Sequence, residues 1–143
     1  MNEIPLEYWN KLASQLIVIS SLLSGFSIAV TANLLVSKSD NRITINILKS
    51  TTVAAGCFLV TVFAMTKIVM MTTQGYPGHV VESSLIIPRL IGIMTFLLGI
   101  ISLSIVIALA GWTKSRSTGI FTTIIGILTF LLIFLTLIEI RMT

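Results

Sequence analysis

SSLLSGFSIAVTANLL, residues 20–35, is too polar for a plain lipid-facing helix and too apolar for a soluble one. Ser20, Ser24, Ser27 and Thr31 recur at intervals of 4, 3 and 4, which places all four on one stripe of a helix. Small hydroxyl residues on one stripe suit two roles: close helix packing with hydrogen bonds across the contact, or the lining of a wet path. Val18, Leu22, Gly25 and Ala29, with Phe26 beside them and Asn33 at the end, fall on the opposite side at about 100° per residue. That side is an apolar wall with a glycine in its middle and one amide at its mouth. The amide suits capping or snorkelling at the interface, or a ring of amide oxygens if several such helices converge.

The rest of the chain sets the context. Of its 143 residues, 55% are hydrophobic and 10% charged, against about 25% charged in an ordinary soluble domain. Mean hydropathy is +1.06. The charges cluster between apolar runs, the pattern of a polytopic membrane protein. A net charge of +4 is therefore read as basic residues at helix ends facing lipid head groups, and no nucleic-acid partner is expected.

Four apolar runs stand out, at about 12–36, 45–72, 86–112 and 119–140. Each reaches the roughly 20 residues needed to cross a hydrocarbon core. The segment MNEIPLEYWNK before the first run is acidic, and the run is about twice the length of a signal core, so a retained helix is expected. SKSDNR joins the first two runs and TKSRST the last two, short polar links that predict antiparallel neighbours and two helical hairpins. The middle link, QGYPGHVVES, holds a Pro77-Gly78 turn signal, and Pro88 suits the first turn of the third helix. The expected fold is thus all-α: one four-helix transmembrane domain, with the homo-oligomeric ring of such subunits resting on the resemblance given below. Tyr8, Trp9, Tyr76 and Trp112 fall near the expected interfaces, as aromatic belts do. Gly56, Gly92, Gly99 and Gly126 are expected at helix contacts.

Lys67 is the charge placed well inside an apolar run, about 7.5 Å from the end of the second helix. It suits snorkelling, or a charge facing a cavity or a phospholipid head. Lys49 and Arg89 fall at helix ends. Lys38, Arg42, Lys49, Lys114 and Arg116 share one membrane face and Lys11, Lys67, Arg89 and Arg141 the other, a narrow lean toward cytoplasmic first and third loops.

Catalytic chemistry is not expected. His79 is a single histidine in a loop, Cys57 a single cysteine in an apolar run, and Glu3, Glu7, Asp40, Glu82 and Glu139 lie near ends or loops. No HExxH, GxSxG, CxxC or phosphate-loop spacing occurs. No metal and no cofactor are expected.

ASQLIVISSLLSGFSIAVTAN, with LLSGF as its core, resembles the first transmembrane helix of Orai calcium-channel subunits. STTVAAGCFLVTVFAM looks like that family's second helix, and LIGIMTFLLGI followed by GWTK like its third, with about two extra turns between. The resemblance covers about two thirds of the chain. It implies several subunits with their first helices around a central pore, lined by Val18, Leu22, Gly25, Phe26, Ala29 and Asn33, with Ser20, Ser24, Ser27 and Thr31 packed on outer helices. Three departures weigh against calcium selectivity and partner-driven gating. Asn33 stands where the family carries its selectivity carboxylate, and Val18 where it carries a basic inner-pore residue. The long cytosolic helix after the fourth span has no counterpart here.

The leading expectation is an oligomeric pore or ion channel whose partners are the bilayer and further copies of itself, in the bacterial inner membrane or a plasma membrane. The alternative is an accessory or effector protein that anchors an unidentified partner or perturbs the membrane, as small proteins in phage defence do. A small transporter ranks third, since no helix shows a strong central break.

Overall fold

A computed structural model describes residues 6–37, 41–77 and 82–139. It contains α1 (Leu6–Val36), α2 (Arg42–Thr72), α3 (Glu82–Ala110), a short 3-10 turn (Gly111–Thr113) and α4 (Arg116–Glu139). All four α-helices are long and apolar enough to cross a membrane, and the chain is an integral membrane protein. Lys38, Asp40, Gly78, His79 and Arg141 lie outside the described residues.

Each helix starts earlier than its apolar run, because a polar first turn carries it beyond the hydrocarbon. In α1 that turn is braced by an ion pair between Lys11 and Glu7, 3.0 Å apart. In α2, Asn41 is the N-cap and its side chain accepts from the Ile43 N–H. In α4, the Ser115 hydroxyl accepts from the Thr118 N–H at 3.2 Å. α3 begins at Glu82, so Pro88 lies inside the helix and not in its first turn. After α2 the chain turns at Gly75, whose φ of 93° favours glycine.

α2 is the central element. α1 and α3 both pack along it, while α4 packs on α3 and on the 3-10 turn. Both expected hairpins, α1–α2 and α3–α4, are present, and an α2–α3 seam as extensive as α1–α2 joins them into one open array in which α1 and α4 share no seam. Two apolar clusters fill the angle between α1, α2 and α3. Ala13, Met65, Ile68 and Leu85 form the first, flanked by Trp9, Leu16 and Ile17. Ala54, Phe58 and Ile100 form the second, joined by Leu23, Phe96 and Phe130. Phe58 and Phe96 meet edge to face, with ring centroids 6.0 Å apart.

Lipid tails are as apolar as leucine, so close fit and not hydrophobic transfer must hold these helices together. Gly92 and Gly99 provide that fit on α3: the Met65 methyl occupies the space beside Gly92, and the Phe58 ring lies 2.7 Å from where a Gly99 Cβ would stand. Gly126 plays the same part between α4 and the Ser104 carbonyl of α3. Gly56 differs from expectation. It is exposed, with open space around it, because it points away from both neighbours of α2.

Gly99→Ala is expected to destabilise the protein in detergent by about 1–3 kcal/mol through overpacking against the fully buried Phe58. Phe58→Leu should relieve part of that loss, so thermal melts of the double variant should show less destabilisation than the two single losses summed.

Candidate functional site

The hydroxyl stripe of α1 faces α2. Ser20, Ser24 and Ser27 are buried and Thr31 is half-buried. Ser24 Oγ donates to the Ala55 carbonyl of α2 at 3.3 Å. Thr31 Oγ1 donates to Thr51 Oγ1 at 3.1 Å, and Thr51 in turn donates to the carbonyls of Ile47 and Leu48. Ser27 returns its proton to the Leu23 carbonyl one turn back, at 2.8 Å. Ser20 Oγ is buried without a hydrogen-bond partner. At the end of the seam where α1 begins, Asn10 Nδ2 donates to Thr72 Oγ1 at 2.9 Å and to the Val69 carbonyl at 3.4 Å. The small side chains let the two backbones approach, and these polar contacts pin their register.

The opposite side of α1 is uncovered. Val18, Leu22 and Phe26 are 59%, 60% and 69% exposed. Gly25, Ala29 and Asn33 are exposed too, and nothing lies within 4 Å of a Cβ built on Gly25. The six residues share one continuous face that no described element of the chain covers. Lys67 is exposed on the flank of α2.

Arg89 is the functional candidate that sequence reasoning passed over as a helix-end charge. Because α3 starts at Glu82, Arg89 stands about 10 Å inside the helix. Its guanidinium carbon lies 3.6 Å from the centroid of the Trp9 ring, a cation–π contact that ties α1 to α3 across α2. Its Nε is buried and lacks a hydrogen-bond partner. Trp9 is consequently half-buried against the first apolar cluster, whereas Tyr8, Tyr76 and Trp112 remain exposed. The signal in the sequence was the polar Glu82-Ser83-Ser84 stretch, a suitable helix start ahead of Pro88. At the far end of α3, Trp112 Nε1 donates to Thr123 Oγ1 at 3.0 Å, and Thr122 and Thr123 both donate to the Ala108 carbonyl, which fastens α4 to α3.

Among the described residues no group of three or more His, Cys, Asp or Glu side chains could hold a metal ion. Comparison with protein-family models, with curated proteins and with solved structures yields no match.

Ser24→Leu should wedge α1 from α2 and lower stability in detergent by about 1–3 kcal/mol. Ser21→Leu, at the exposed neighbouring position, should change it by less than about 0.5 kcal/mol. Thermal unfolding followed by circular dichroism measures both.

Proposed function

We propose that the chain is a subunit of an oligomeric membrane pore in which the uncovered face of α1 meets the shared axis. The observation that carries this reading is the division of α1 into two faces. Its hydroxyls are directed into α2, and the face formed by Val18, Leu22, Gly25, Phe26, Ala29 and Asn33 is left at the edge of an open helix array. Gly25 at its centre and Asn33 at its end set this face apart from the plain apolar side that α3 leaves uncovered. Gly25 and Ala29 keep the middle of the uncovered face narrow, which leaves room along an axis. Leu22 and Phe26 supply bulk for a hydrophobic constriction of the kind that gates by dewetting.

The resemblance of LLSGF and its flanks to the Orai first helix supports the same placement. Asn33 makes the mouth a ring of neutral amides, which bind divalent cations far less strongly than carboxylates do. The pore proposed here therefore passes small ions without calcium selectivity.

Reconstituted liposomes test the reading. Purified protein should run as an oligomer and release entrapped ions, Leu22→Ser should increase the flux by wetting the constriction, and Asn33→Asp should shift selectivity toward cations. A monomer that gives no flux under any voltage or lipid composition overturns the pore and favours the accessory role.

A further inference from the structure

We propose that Arg89, held in place by Trp9, binds the phosphate of an anionic phospholipid at the membrane face where α1 and α3 begin. The inference is independent of the pore.

Arginine inside a lipid-embedded helix needs acceptors for five N–H donors. Here one side of the guanidinium lies against the Trp9 ring at 3.6 Å. The ring stabilises the charge but accepts no ordinary hydrogen bond. Nε is buried and unpartnered. The terminal nitrogens are absent from the buried, unpartnered atoms and make no hydrogen bond to the described residues, so they form the accessible edge of the group. The ion pair present among the described residues joins Glu7 to Lys11, so the described acid closest in sequence to Trp9 is already engaged. Among the described residues Arg89 is thus a half-buried cation with donors to spare.

Its depth selects the ligand. Arg89 stands about 10 Å from the first residue of α3, and Lys67 stands about 7.5 Å from the last residue of α2. Antiparallel packing brings those two helix ends to the same membrane face, as the contact of Met65 with Gly92 requires. Two cations at similar depth, below the helix ends, suit an anion that descends from the head-group layer. A phosphate diester presents two oxygens to the planar guanidinium fork, which a lysine point charge cannot match. Trp9 prevents the fork from swinging away, so the geometry exists before the lipid arrives. Asn10, beside Trp9, fixes the start of α1 through Thr72 and Val69.

The test uses the full-length protein in detergent with Trp112→Phe, so that Trp9 is the single tryptophan reporter. Phosphatidylglycerol, phosphatidylcholine and inorganic phosphate are titrated separately while Trp9 emission is followed. Phosphatidylglycerol should give a saturable shift at a concentration about fivefold or more below that for phosphatidylcholine, the difference expected of one basic contact. Arg89→Gln should abolish the preference, and Arg89→Lys, which keeps the charge and most of the stem, should retain only part of it. A matching shift with inorganic phosphate at lower concentration would support the phosphate chemistry but overturn its assignment to a lipid. Equal responses to the two lipids, or an undiminished preference in both Arg89 variants, would overturn the site.

Discussion

The structure depends on how α2 satisfies polar groups where water is absent. In hydrocarbon each unpaired N–H, carbonyl or hydroxyl costs several kcal/mol, so hydroxyls are driven to acceptors within the protein, Ser20 being the exception. Most do so locally: Thr61, Thr66 and Thr72 donate to carbonyls one turn back in α2, and Ser104 does the same in α3. A smaller set reaches across helices. Ser24, Thr31 and Asn10 join α1 to α2, and Thr61 joins α3 through Thr95 Oγ1 at 2.9 Å and the Gly92 carbonyl. At roughly 0.6 kcal/mol each, the three α1–α2 pairs contribute about 2 kcal/mol. Their larger effect is to fix register, so that close contact at Ala54, Gly92 and Gly99 can follow.

Fixing that register decides the outer surface. With its small polar stripe committed to α2, α1 must present its apolar side outward, and α4 lies too far around α3 to cover it. The same convergence of α1, α2 and α3 brings Trp9 over Arg89, because both side chains stand where α1 and α3 meet the end of α2. An uncovered ion-path candidate and a half-buried cation thus arise from one packing arrangement. Neither requires a soluble domain or a catalytic group.

Helix number and approximate position were legible because 55% hydrophobic composition with clustered charge leaves little else for the chain to form. The 4-3-4 spacing placed Ser20, Ser24, Ser27 and Thr31 on one stripe, but periodicity names a face without naming what covers it. Helix starts were not legible from apolar runs, since 6–11 and 82–87 are helical although polar residues interrupt them, the first of these braced by the Glu7–Lys11 pair. That error hid Arg89, whose depth is apparent only once α3 begins at Glu82. The glycines show a further limit. Gly56 and Gly99 look alike in sequence, yet Phe58 presses on one and open space surrounds the other, a difference set by helix rotation. The open array was equally hidden, because short loops specify antiparallel neighbours and not which further helices meet.

The central claim is that α1 turns its hydroxyl stripe into protein and its opposite face to water along a shared axis. Single cysteines introduced along α1 in a Cys57→Ser background, labelled in native membranes with a charged, membrane-impermeant thiol reagent, test it most directly. Positions 22, 25, 29 and 33 should label and positions 20, 24 and 27 should be protected. Labelling of the seam positions, or of none on either face, contradicts the account.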